Sequence, residues 1–105
     1  DCGAVTSACQ LRLQQKQISD VKEMPHIQYV LGPLMHSVES VYDIMQPREL
    51  NKTFVNQVTA MNVHYNIQYI INNSTVLKDL LDRGEIAIVG AIYDVKTGHV
   101  EFLDA

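Results

Sequence analysis

From Ile86 to Tyr93 the chain reads Ile-Ala-Ile-Val-Gly-Ala-Ile-Tyr, with no polar side chain before the terminal tyrosine hydroxyl. Successive residues of a strand point to opposite faces, so a run without alternation must be covered on both sides. That is how a central strand of a largely parallel sheet reads, with helices packed on its two faces. Asp94-Val95-Lys96-Thr97-Gly98 supplies turn chemistry, and His99-Val100-Glu101-Phe102-Leu103 alternates like a strand with one wet face. Two strands alone do not bury such a run, and no third stretch of the chain reads convincingly as a strand. The sequence therefore predicts an α/β fold, a mostly parallel β-sheet flanked by helices, whose other strands lie upstream or in a partner.

At 105 residues the chain has room for one domain, and with 47% hydrophobic and 19% charged residues it has the apolar content of a globular protein. A formal net charge of -4 and no basic cluster argue against a nucleic-acid surface. No run approaches the ~20 apolar residues of a membrane span, and no leader pattern stands at the front. Cytoplasm is the default expectation. The chain begins with Asp1 rather than Met, which processing or truncation would explain.

Helix-forming composition without Gly or Pro predicts a helix from about Ala4 to Gln15. Cys2 then lies at or just before its N-terminus, at the positive end of the helix dipole, and Cys9 lies within it. Seven helical residues hold the two thiols ~10 Å apart, beyond the ~7 Å Cα limit for a disulfide. Two cysteines are also too few for a disulfide framework, so both are expected as thiols, Cys9 as a buried one.

Lys16 to Glu23 reads as a polar connector, and Met24-Pro25 as a boundary. Ile27, Val30, Leu31, Leu34, Met35, Val38, Val41, Tyr42 and Met45 share one helical face. Gly32-Pro33 interrupts that pattern, which predicts a short helix before Pro33 and a longer one from Pro33 to about Met45. Asn51 is the expected N-cap of a long helix carrying Phe54, Val58, Met61, Tyr65 and Tyr69 on one stripe. Ser74 caps a last helix, Thr75 to Arg83, with Gly84 as its stop.

His26, His36, His64 and His99 lack any spacing that would turn two imidazoles toward one metal. Asn51-Lys52-Thr53, Asn72-Asn73-Ser74 and Asn73-Ser74-Thr75 match the glycosylation pattern, but helix capping already explains Asn and Ser there. There is no Gly-rich phosphate loop and no GxSxG elbow. A lone cysteine ahead of a helix is more often structural than functional.

The company Cys2 keeps changes that reading. Asp1-Cys2-Gly3-Ala4-Val5 at the front and Glu85 to Leu103 at the back closely resemble the β-class carbonic anhydrases. In that family a segment of the form Gly-His-Thr-Asp-Cys-Gly-Ala runs from a strand end into a helix, and the fold closes on a strand like Ile-Val-Gly-Ala-Tyr-Asp followed by a Thr-Gly turn. Asn62-Val63, Ser74-Thr75-Val76-Leu77 and Gly84 match the approach to that strand. The likeness is thinnest from about Lys16 to Gln46.

The resemblance implies a zinc lyase that interconverts carbon dioxide and bicarbonate, with Zn2+ as cofactor. Zinc held by three protein groups brings the pKa of its bound water to ~7, which suits that reaction at neutral pH. The family's ligands are two cysteines and a histidine, and only Cys2 maps onto one of them. The histidine would fall three positions before Cys2, and the second cysteine and the Asp-Arg catalytic pair further upstream. Gly3, beside the ligand, is the candidate substrate-side position. The resemblance also implies a homodimer or higher homo-oligomer with interlocked helices, for which the stripes Val30–Met45 and Phe54–Tyr69 are the candidate faces. The chain on these terms is the C-terminal part, residues 1–105, of one such domain, inactive alone. Two rival readings remain: a non-catalytic binding or assembly module with this fold, and a redox-sensing thiol at Cys2.

Overall fold

The computed structural model describes residues 2–16 and 26–103. Of the connector expected from Lys16 to Glu23, all but Lys16 lies outside the described residues, as does the Met24-Pro25 boundary. Four helices and two strands follow in the order α1 (Gly3–Leu13), α2 (Gln28–Met45), α3 (Lys52–Asn73), α4 (Thr75–Asp82), β1 (Gly90–Tyr93) and β2 (Val100–Leu103). They fall into two compact units, Asp1–Met61 and Asn62–Ala105, with α3 running through the division.

The first unit is a helical core. Val5, Ala8, Cys9 and Leu11 of α1 and Leu31, Leu34, Val38 and Val41 of α2 are buried together with Phe54 and Val58 of α3. Small residues at Ala8, Cys9 and Ser37, all with no exposed surface, keep side-chain bulk low in that core. Arg12 ties α1 to α2 at the rim: its Nε lies 2.7 Å from Glu39 Oε1, and its guanidinium sits 3.9 Å from the centroid of the Tyr42 ring. Tyr42 in turn meets Phe54 edge-on. The cation thus has a carboxylate and an aromatic face, an arrangement lysine would not reproduce.

Helix ends are set by local chemistry. Asn51 Oδ1 accepts from the Phe54 amide at 2.8 Å, and Ser74 Oγ from the Leu77 amide at 3.2 Å, as the N-cap reading required. At the end of α4 the Gly84 amide donates to Leu81 and the Glu85 amide to Leu80, with Gly84 at φ 73°. This paired closure needs a left-handed residue, which glycine adopts without strain. The same pair of bonds closes α1, from Gln15 to Arg12 and from Lys16 to Leu11, with Gln15 at φ 55°. The first helix therefore ends at Leu13 rather than Gln15, because Gln15 is its left-handed stop.

One expected break is absent. Gly32 and Pro33 lie inside a continuous α2, not between two helices. Leu31 and Leu34, on either side of Pro33 in sequence, are both buried, and the carbonyls of His26 and Ile27 already anchor the first turn. Burial on both sides outweighs the bond that Pro33 cannot give to the Tyr29 carbonyl.

The second unit holds the hairpin. β1 and β2 pair antiparallel, with Gly90 opposite Leu103, Ala91 opposite Phe102, Ile92 opposite Glu101 and Tyr93 opposite Val100. Asp94 organises the turn: its Oδ1 accepts from the Lys96 amide, which holds the carboxyl below the usual carboxylate range, and Gly98 turns at φ 74°. Only residues 90–93 of the predicted strand Ile86–Tyr93 pair, and the second strand starts at Val100 rather than His99. Among the described residues the sheet has these two antiparallel strands, so the parallel part of the expected sheet is not among them. Among the described residues no ladder runs beside 86–89, so this stretch is not strand. The Phe54–Tyr69 stripe is likewise only partly used: Phe54 and Val58 are buried, Met61 half-buried, and Tyr65 and Tyr69 exposed.

Gly90 is the tight point of this unit. A Cβ there would collide with Val63 Cγ1 of α3 and come within 3.1 Å of Ile67 Cδ1.

Two substitutions check this architecture. Pro33→Ala restores an amide donor within a continuous α2 and is expected to stabilise the chain by about 1–3 kcal/mol in chemical denaturation; no gain would mean that the helix is interrupted there after all. Gly90→Ala is expected to cost about 1–3 kcal/mol through overpacking against Val63. Amide exchange in β1 and β2 reads this locally, and unchanged protection would contradict the close packing.

Candidate metal centre

Cys2 is the N-cap of α1, in extended backbone at φ -86° and ψ 120°. Its carbonyl accepts from both the amide and the hydroxyl of Thr6, each at 3.1 Å. Its side chain makes no capping bond and is exposed. The backbone of Cys2 is thereby fixed while the sulfur stays available. The helix behind it cannot drift, since Val5, Ala8 and Cys9 are buried in the core within the next two turns. Gly3 follows as the first helical residue, and a Cβ placed on it would meet nothing within 4 Å. Packing within the chain does not demand a glycine at this position.

Thiolate is a proper donor for zinc, but catalytic sites use three protein donors. Among the described residues no group of three His, Cys, Asp or Glu side chains is placed to hold a metal. Cys9 does not supply a second sulfur: it is fully buried, and both cysteines are free. His26 stacks on Tyr29, and the His99 amide donates to Thr97 Oγ1 in the hairpin turn. An Asp-Arg pair does occur, Asp79 with Arg83 at 3.1 Å, but it is an exposed pair along α4. It is a helix-surface contact of the kind that spacing by four residues produces. One zinc donor from Cys2, on its own, does not fit the metal.

Comparison with known proteins supplies the family. The model of the carbonic anhydrase family matches residues 1–100, and the chain belongs to that family, in its β class. No curated protein matches the chain, and no solved structure does. Among the described residues no helix is long and apolar enough to cross a membrane.

The two thiols differ physically. Burial pushes the Cys9 thiol up from 9.0 to about 11. Between those values the unfolded chain releases this proton while the folded chain keeps it, so the folded state binds more protons and loses stability as pH rises. Stability is therefore expected to fall between pH 9.0 and about 11, a slope that Cys9→Ala removes. Alkylation of the native chain followed by peptide mass mapping should modify Cys2 alone, with Cys9 reacting only after denaturation. Equal labelling of both cysteines would contradict the packing of α1.

Proposed function

We propose that this chain is part of a carbonic anhydrase that interconverts carbon dioxide and bicarbonate, with Cys2 as one thiolate ligand of its zinc. The match to the family over residues 1–100 carries the reading. An exposed thiol on a fixed backbone, at the head of a helix locked into the core, is its structural support. The contribution of this chain is positional: α1 holds Cys2, and the open space over Gly3 leaves room beside it for a small substrate.

The described residues do not complete the centre. A second cysteine, a histidine and an Asp-Arg pair are needed, and we place them ahead of Cys2, with the histidine three residues before it. The strands that would make the sheet mostly parallel belong to the same missing part. On this reading the active protein is cytoplasmic and a homodimer or larger homo-oligomer, and the 105-residue chain alone is inactive.

Two preparations test this together. The isolated 105-residue chain should hold no stoichiometric zinc after dialysis and show no hydration of carbon dioxide by stopped-flow pH change. The protein isolated from its source should exceed 11.8 kDa, show histidine three residues before Cys2, and lose zinc and activity together in Cys2→Ser. Zinc at one equivalent with activity in the isolated chain would refute the incomplete-site reading. A native mass of 11.8 kDa without metal would favour a non-catalytic module instead.

A further inference from the structure

The face that α1 turns to the core is broad and smooth. Val5, Ala8, Cys9 and Leu11 are buried, with Ala4 and Leu13 packed beside them, which at about 3.6 residues per turn takes up more than half of the helix circumference. Ala8 and Cys9, its innermost residues, are small, and so is Ser37, equally buried on α2. Apolar burial is non-directional, so a face of this kind fixes how close α1 lies to α2 better than it fixes rotation or slide. Direction has to come from a polar contact. Arg12 is the one charged residue in Gly3–Leu13, and its guanidinium meets two groups of α2 at once: Glu39 Oε1 lies 2.7 Å from its Nε, and the Tyr42 ring centroid 3.9 Å from its carbon. Glu39 and Tyr42 stand three positions apart, on one side of α2. Tyr42 is braced in turn by its edge contact with Phe54, which has no exposed surface. A planar cation set between a carboxylate and a braced ring holds the helix in one rotation and one register.

We propose that Arg12 is a positioning residue: it sets the rotation and slide of α1 on α2, and through them the place of the Cys2 sulfur. The inference rests on the reading of Cys2 as a zinc ligand for its use, and on the contacts above for its mechanism. Cys2 caps the same unbroken helix whose last turn holds Arg12, ~15 Å away at a rise of ~1.5 Å per residue. A slip at Arg12 is therefore a slip at Cys2. The contact is partly exposed, 28% for the Arg12 side chain and 48% for that of Glu39, so it adds little to stability. Its contribution is direction.

Nitroxide labels on the native Cys2 thiol and on an Ile44→Cys thiol in α2 turn this into a distance distribution, measured by pulsed electron resonance. Cys9 is buried and out of reach of the reagent, and Ile44 is 81% exposed, so the second label disturbs no packing. One narrow distribution is expected in the otherwise unmodified chain. Arg12→Met, and Glu39→Arg at the more exposed partner, should each shift its mean or widen it by about 1.5–5 Å, the range from a one-residue slip to nearly a full turn. Helical circular dichroism and the urea midpoint should stay close to those of the parent chain. Arg12→Glu combined with Glu39→Arg should narrow the distribution again, which lost packing of the Arg12 stem would not do. A distribution that both single variants leave unchanged, or that the combination fails to narrow, overturns the positioning role. No zinc enters the measurement, so that result leaves the reading of Cys2 as a ligand standing, and a zinc centre indifferent to Cys2→Ser would remove that reading without altering the distances.

Discussion

The docking of α1 on α2 fixes the backbone of Cys2, the residue proposed above as a zinc ligand. Ala8, Cys9 and Val38 have no exposed surface, and Phe54 and Val58 close the same cluster from the start of α3. Fully burying side chains of Val, Leu or Phe size is worth about 1.5–3 kcal/mol each. The rim contacts of Arg12 with Glu39 and Tyr42 are half-exposed and count for less. Apolar burial therefore holds α1, and α1 holds Cys2. Among the described residues one buried side-chain polar atom is left without a partner, Ser37 Oγ, and it fits the same account: at this position small size outweighs the cost of an unbonded hydroxyl, which is about 1–3 kcal/mol.

The two units differ in what they bury. Among the described residues the first unit holds every buried hydrophobic residue, whereas in the second only Gly90 is buried. A two-stranded hairpin on a helix is marginal by itself, because two strands leave one face and both outer edges open. The exposed Tyr93 and Phe102 are the physical trace of that shortage. An all-apolar strand sequence in so thin a sheet is explained if the sheet is larger in the assembled protein, as the family reading holds.

Legibility in the sequence followed the range of the interactions concerned. Asn51 and Ser74 as caps and Gly84 as a stop were readable because a cap is settled within a few residues. The buried side of α2 was readable from its helical spacing, Val30 excepted. Gly32-Pro33 misled because local proline chemistry says break, while the burial of Leu31 and Leu34 that overrides it is tertiary. The left-handed turn at Gln15 carried no sequence signal, since glutamine seldom takes it. Residues 86–89 read as strand, but a strand exists only with a partner. For the site, the neighbourhood of Cys2 was legible only through its resemblance to a family. A lone cysteine before a helix has no spacing from which a ligand set can be derived, and among the described residues no group of three possible donors is placed to hold a metal.

The central proposal is that the exposed Cys2 thiol is a zinc ligand. X-ray absorption at the zinc edge of the protein isolated from its source measures that directly, since sulfur ligands scatter at ~2.3 Å and nitrogen or oxygen at ~2.0–2.2 Å. The account predicts a sulfur shell that loses one scatterer in Cys2→Ser. A sulfur shell unchanged by that substitution would contradict it.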